Sequence, residues 1–212
     1  MRLNNRTAIV TGSGNGIGRA TAILFAKEGA NVIVAEIEED TGNETVEMIK
    51  SDGGEATYIN VDTSKIDSVE RMVSNSVEKY GDINILVNNA AAFVFGNIEH
   101  VTQDDWGKVL GVNVIGYANC VQKSLESLKK NSDSSIINIA SVSSFIAQPD
   151  FVPYNTSKGA VIQLSKCLAM DLSKYNIRVN SICPGSIRTR ASDQHIKSLG
   201  LDPEKAYEDF AN

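Results

Sequence analysis

Short apolar runs recur along the chain at positions 7–11, 31–35, 56–61, 83–88, 134–140 and 176–183, and each interval between them holds a segment of helical spacing. The first run, Thr7-Ala8-Ile9-Val10, has the β-branched texture of a buried strand, and the segment after it repeats apolar residues at Ile17, Ala20, Ile23, Leu24 and Ala26. Such alternation predicts βαβ crossovers and an α/β fold, a doubly wound parallel sheet with both faces covered by helices. Helix starts are signalled by Ser64 followed by Asp67, by Thr102 followed by Asp105, and by Pro153 in a first-turn position. Neither a repeat nor a Pro- or Ser-rich linker interrupts the pattern, so residues 1–212 read as one domain. After Cys183 the texture changes: a turn at Pro184-Gly185 and two weakly amphipathic stretches, 191–199 and 203–211, replace the strand-like runs.

At 212 residues and 42% hydrophobic the chain is long enough for one sizeable core. A net charge of −6, with seven arginines and thirteen lysines scattered along the chain, offers no basic face and argues against nucleic acid as a partner. Cys120, Cys167 and Cys183 are odd in number, far apart and set in apolar segments, so they read as reduced core thiols rather than a disulfide or metal framework. His100 and His195, both in polar surroundings, give little material for a metal site or a histidine triad. No run approaches the roughly 18 apolar residues of a membrane span. The expectation is a cytoplasmic protein without a membrane or metal partner.

Candidate chemistry begins between the first strand and the first helix, at Thr11-Gly12-Ser13-Gly14-Asn15-Gly16-Ile17-Gly18. Glycines there let backbone approach an anion closely, and the unpaired N–H groups and positive dipole end of the helix favour a pyrophosphate. The segment is read as a dinucleotide cradle, although Ile17 stands where a G-x-G-x-x-G pattern wants its third glycine. In such a sheet the ligand lies over the carboxyl ends of the strands. Glu36 ends the second strand, where a carboxylate accepts both ribose hydroxyls and repels a 2′-phosphate. At an effective dielectric of 20, charges about 4 Å apart repel by roughly 4 kcal/mol. No cation stands in the loop or at Ile37 to offset it, so NAD is expected over NADP. Asp62 and Asn88, at the ends of the third and fourth strands, point to the same crevice, and either could equally close a turn.

Tyr154 and Lys158 fall at i and i+4 on one helix face. A tyrosine must lose about three units, or about 4 kcal/mol, to act as a base near neutrality, and one close ammonium supplies energy of that order. With six tyrosines and thirteen lysines the pair alone carries little weight. Two further residues add context. Ser141, at the end of the fifth strand, is placed to donate to a carbonyl oxygen. Asn113 lies inside the helix that starts near Thr102, and a poor helix former flanked by Gly111 and Gly116 implies a bond worth the lost propensity.

In this order the motifs resemble those of the short-chain dehydrogenase/reductase family over residues 5–190. The resemblance implies a Rossmann-like fold, with Gly12 to Gly18 as the pyrophosphate loop, Glu36 as ribose reader with Ile37 beside it, and Asp62 at the adenine. It also makes Asn88 a cofactor contact, from an Asn-Asn-Ala-Gly motif that reads Asn88-Asn89-Ala90-Ala91 here, with Ala90 among the contacts. Asn113, Ser141, Tyr154 and Lys158 match the family's catalytic tetrad, and Pro184, Gly185, Ile187 and Thr189 match the segment that binds the nicotinamide amide. The implied activity is hydride exchange between NAD and a small alcohol or carbonyl substrate. Tyr154 is then the acid/base; Lys158 lowers its pKa and holds the nicotinamide ribose; Ser141 positions the carbonyl, and Asn113 holds a water in a proton relay. Helices near 102–129 and 152–173 resemble the pair with which members build a two-fold four-helix interface, whereas the second family interface uses terminal elements absent here; a homodimer or homotetramer is expected.

Two departures stand out. Ala91 replaces a glycine, which is tolerable only at negative φ. Residues 186–212 read as a partial substrate lid without the further strand that members carry, which leaves the sixth strand as a sheet edge. Two alternatives remain open at this point: a non-catalytic NAD-binding relative, and a 3-oxoacyl-carrier reductase, which Glu36 disfavours. Ala92, Phe93, Val94, Phe95, Val142, Ser143, Phe145 and Ile146 are candidates for an apolar substrate pocket.

Overall fold

The computed structural model describes residues 1–198 and 200–211. Six parallel strands form one sheet: β1 (Thr7–Thr11), β2 (Asn31–Glu36), β3 (Glu55–Asn60), β4 (Ile83–Asn88), β5 (Ser135–Ile139) and β6 (Arg178–Ile182), in the order β3-β2-β1-β4-β5-β6. Each predicted strand is present, with ends shifted by one or two residues. Helices α1 (Gly16–Lys27), α2 (Glu39–Ser51), α3 (Ile66–Tyr80), α4 (Gln103–Leu110), α5 (Gly116–Leu128) and α6 (Val152–Leu172) make the crossovers. Short helices α7 (Arg190–Ser198) and α8 (Pro203–Ala211) follow β6. The described residues after Cys183 contain no strand, and β6 is an edge, with Ile182 exposed.

Strand alternation divides the core between the two faces of the sheet. Ile9, Ile33, Leu86 and Ile136 pack with Val69, Met72, Leu128 and Leu172 of α3, α5 and α6. Ala8, Val10, Val32 and Val34 face the other way, onto Ala22 and Ala26 of α1 and Ile49 of α2. Because both faces are covered, the central strands β1 and β4 are buried throughout. Chain order reverses between β1 and β4, and there the α1 and α4 connections leave in opposite directions and open a crevice over the carboxyl ends.

The Thr102 signal is a true capping box: its side chain accepts from Asp105 N–H, and the Asp105 carboxylate accepts from Thr102 N–H. Ser64 is not a cap. Helix α3 starts at Ile66, with Lys65 as N-cap residue, because the Ser64 hydroxyl donates instead to Asp62 Oδ1 at 2.6 Å. Ala91 is not among the positive-φ residues, so the missing glycine costs no backbone strain. Of the three cysteines only Cys120 is fully buried; Cys167 is exposed on α6, contrary to its expected core position.

Candidate active site

At the adenosine-binding end expected from the sequence, β1 runs straight into Gly12. A Cβ at Gly12 would lie 2.7 Å from the Ala90 Cα, and one at Gly18 would lie 2.2 Å from the Gly12 carbonyl oxygen. Only glycine allows loop, helix and β4 exit to approach this closely. Asn89 locks the arrangement, donating from Nδ2 to the Thr11 and Gly12 carbonyls at 2.9 Å each. The Ser13 hydroxyl donates to Val10 O beneath the loop. Asn15 is the N-cap residue of α1 and makes no side-chain cap bond, so the first N–H groups of the helix face the crevice without a capping acceptor. Gly12, Asn15, Gly16 and Ile17 line that crevice, while Ser13, Gly14 and Gly18 support it from behind.

The Glu36 carboxylate is held by three backbone donors: Gly14 N–H on Oε2 at 2.9 Å, and Ile37 and Glu38 N–H on Oε1 at 2.8 and 3.2 Å. Those bonds fix the charge beside the loop and leave lone pairs facing the cleft, where Ile37 and Asp62 also lie. Asp62 Oδ1 accepts from both the backbone and the hydroxyl of Ser64. Sequence reasoning found no nearby cation, but two are present, both tied to carboxylates. Arg190 reaches Glu38 at 3.3 Å, and Arg19 pairs with Glu44 at 2.6 Å.

Asn88 does not stand in the crevice. It is fully buried and donates to Asn138 Oδ1 at 2.9 Å, while its own Oδ1 has no partner. As the last residue of β4 it points into the layer between sheet and helices, and Asn89, the first residue beyond the strand, takes the position at the loop. Ala90 lines the cleft, with its N–H on Thr11 Oγ1 at 3.1 Å.

At the other end, Ser141, Tyr154 and Lys158 converge. Ser141 leaves β5 and accepts from Ser143 N–H at 3.1 Å, and its hydroxyl lies near enough to that of Tyr154 to favour the phenolate. Lys158, only 2% exposed, donates from Nζ to Ile139 O at 2.8 Å. The Tyr117 hydroxyl donates to the same carbonyl. Burial brings Lys158 down from an ordinary 10.5 to about 8. Burial also raises Tyr154, and the nearby Ser141 hydroxyl offsets part of that rise, so the lowering expected from Lys158 does not prevail and Tyr154 stays protonated at neutral pH.

Asn113 is fully buried. It sits in a π-helical turn, Gly111–Ile115, that joins α4 to α5. Its Oδ1 accepts from Ala92 N–H at 2.7 Å, and its Nδ2 donates to Ala92 O and Ser157 Oγ at 3.0 Å each. Ser157 in turn donates to the Tyr154 carbonyl at 2.7 Å. The fully buried amide ties the 91–95 segment to the Tyr154 turn, with both Nδ2 hydrogens on protein acceptors. The bond inferred from its poor helix propensity is present.

Pro184, Gly185, Ile187 and Thr189 line the cleft, and the Pro184 carbonyl accepts from Val142 N–H at 3.0 Å, next to Ser141. Of the pocket candidates, Ala92, Phe93, Phe95, Val142 and Ser143 line it; Val94 is in the core, and Phe145 and Ile146 lie outside on the surface. His195 was expected in polar surroundings. Its ring instead lies 4.0 Å from Phe95 and 5.5 Å from Phe151, and burial lowers its pKa. Phe93 stacks on Tyr154 at 5.4 Å. The whole cleft has a volume of about 1020 Å³.

A parallel sheet with a glycine-tightened, uncapped helix start at one end and a Tyr–Ser–Lys cluster at the other is a specific combination. Residues 6–199 match the short chain dehydrogenase family. The chain belongs to that family. Among short chain dehydrogenases it is 42% identical to an oxidoreductase of Thermotoga maritima over 95% of this chain and 78% of that one. It is 35% identical to glucose 1-dehydrogenase 2 of Bacillus subtilis, covering 97% and 83% of the two chains. Dehydrogenase/reductase SDR family member 4 of Homo sapiens is 36% identical over 96% and 72%. The crystal structure of a short chain dehydrogenase from Mycobacterium avium superposes with a TM-score of 0.83 at 28% identity, covering 88% of this chain and 69% of that one. The protein is an oxidoreductase of this family that binds a nicotinamide cofactor, NAD or NADP. The Gly12 cradle and the uncapped start of α1 suit a pyrophosphate, so the residues present fit the group.

The two asparagines separate by experiment. Asn88→Ala leaves Asn138 Oδ1 buried without its donor and lowers unfolding free energy by about 1–3 kcal/mol in urea titrations, with NADH affinity unchanged. Asn89→Ala frees the loop and raises the NADH dissociation constant, read by fluorescence titration, by about tenfold.

Proposed function

We propose that the protein is an NAD(H)-dependent oxidoreductase acting on a CH–OH group, interconverting a secondary alcohol and its ketone with Tyr154 as general acid/base. The observation that carries this reading is the Ser141–Tyr154 hydroxyl pair beside the buried Lys158 ammonium, in one cleft with Glu36 and the glycine loop. Bound nicotinamide supplies the hydride donor or acceptor. In reduction, Ser141 and Tyr154 bond the ketone oxygen, and Tyr154, protonated at neutral pH, gives its proton to that oxygen as negative charge develops. The Lys158 charge stabilises the phenolate left behind. A fall from 10.5 to about 8 corresponds to about 3 kcal/mol of destabilised cation. A purely structural side chain at this place would be apolar, which argues against a non-catalytic relative.

Glu36 supports NAD over NADP, because the three N–H bonds hold its charge beside the ribose site while Arg190 and Arg19 are spent on Glu38 and Glu44. Helices α7 and α8 act as a partial substrate lid: α7 rests on the cleft through His195 against Phe95 and Arg190 against Glu38, and α8 is tied to it by Tyr207 on Ser192. Exposed Ile115 and Met170, on the π turn and α6, support association of two chains through the 102–129 and 152–173 helices. Three free cysteines suit a reducing compartment, and we place the protein in the cytoplasm.

Tyr154→Phe lowers ketone reduction by about 10²–10⁴-fold and leaves the NADH dissociation constant within about twofold, whereas Lys158→Ala harms both. Lys158 is cationic below its pKa and loses that charge above it, so wild-type kcat/KM for reduction holds through neutrality and falls above pH about 8. A Tyr154→Phe enzyme with ordinary kcat contradicts the mechanism. NADH binds about tenfold or more tightly than NADPH, and Glu36→Gln narrows the gap; equal affinities in wild type contradict the assignment. Light scattering shows at least a dimer, and a pure monomer contradicts the association.

A further inference from the structure

We infer that Gln148 is a specificity-determining residue whose side-chain N–H group reads a second oxygen on an uncharged substrate. The inference rests on the oxidoreductase reading and deepens it. Gln148 lies between the 3₁₀ turn Val142–Ser144 and α6, and lines the cleft on the side of Ser141 and Ser143. Which end of its amide faces the cleft follows from its neighbours. Asn155 Nδ2 is 3.2 Å from the Ile146 carbonyl, which only accepts, so that atom must be the nitrogen. The same nitrogen donates to Gln148 Oε1 at 3.0 Å, and Ser143 Oγ donates to Oε1 at 3.2 Å. Two donors thus hold the oxygen, and the Nε2 amino group is left with two N–H donors and no partner among the described residues.

Polar groups then run in a row: Tyr154 lies beside Ser141, Ser141 Oγ accepts from Ser143 N–H, and Ser143 Oγ donates to Gln148. One donor set meets the reacting oxygen, and a second stands one residue further along the wall. The second set therefore suits a further acceptor oxygen on the same substrate. The other walls here are Phe93, Phe95, Phe151 and His195, whose pKa burial lowers. Glu36, Glu38, Asp62 and Arg190 belong to the β2–β3 end of the cleft, as does Lys108, one turn before Gly111, which faces Ser64 beyond β3, and Lys158 is committed to Ile139 O. The matching substrate is therefore a neutral ketone that carries a second acceptor oxygen on an apolar skeleton, and a 1,2-diketone is the simplest probe of it.

The test compares 1-phenylpropane-1,2-dione with phenylacetone, which lacks the second oxygen, at saturating NADH. Wild type favours the dione in kcat/KM by about tenfold or more, chiefly through KM. Gln148→Leu brings that ratio toward one by raising KM for the dione while its kcat holds, and Gln148→Glu, which presents acceptors in place of donors, inverts the preference. Circular dichroism and the NADH dissociation constant stay at wild-type values in both variants. A wild type that reduces phenylacetone equally well, or a Gln148→Leu enzyme that keeps the preference, overturns the role of Gln148 alone. A Gln148→Leu enzyme that binds NADH but loses kcat on both ketones shows a structural role and overturns it too. A wild type that binds NADH and reduces neither these nor any other ketone overturns Gln148 together with the oxidoreductase reading beneath it.

Discussion

One buried ammonium organises the reactive half of this molecule. Lys158 sits almost out of solvent with the last carbonyl of β5 as its partner, and that carbonyl also accepts from Tyr117 on α5. Strand, α5 and α6 therefore meet at a single oxygen. Two residues beyond it the chain delivers Ser141, and one helical turn before Lys158 it delivers Tyr154. Keeping a cation there costs about 3 kcal/mol against leaving it in water. The surrounding core offsets that cost, since Val161, Ala140 and Tyr117 pack closely around the same junction. Loosening any one of the three elements moves all of the reactive groups together.

The opposite half is built on close backbone approach rather than on charge burial. Gly12 and Gly18 remove side chains where α1, β1 and the β4 exit crowd together, and Asn89 ties the loop to the sheet. The resulting helix start is positive and uncapped, and Glu36 stands fixed beside it. A long cleft thus has an anion-accepting floor next to a carboxylate at one end and a proton-donating pair at the other. Asn113 links the two, because its clamp on Ala92 sets the wall between them relative to the Tyr154 turn.

Much of this was legible in the sequence, and the parts that were not share a cause. The strands and crossovers show as apolar periodicity, which is local, and the Thr102 capping box is complete within four residues. Asn113 was flagged by a propensity penalty and does make a compensating bond. Ser64 has the same local pattern as Thr102, yet Asp62, two residues before it, competes for its hydroxyl. Asn88 ends β4 as the apolar run implies, but strand alternation turns its side chain to the interior and leaves Asn89, one residue on, at the loop. His195 beside Phe95 and Phe151, Arg190 against Glu38, and Gln148 held by Ser143 and Asn155 are meetings that tertiary packing makes. In the sequence these residues carry no periodic or motif signal.

Isotope transfer tests the central claim most directly. The protein is supplied with NADH carrying deuterium at one or the other C4 position together with a neutral ketone in ordinary water, and the alcohol is analysed by mass spectrometry. The account expects one deuterium at the carbinol carbon from one of the two labelled cofactors and none from the other, with the hydroxyl hydrogen drawn from solvent through Tyr154. Unlabelled alcohol from both cofactors, or no alcohol at all, would contradict it.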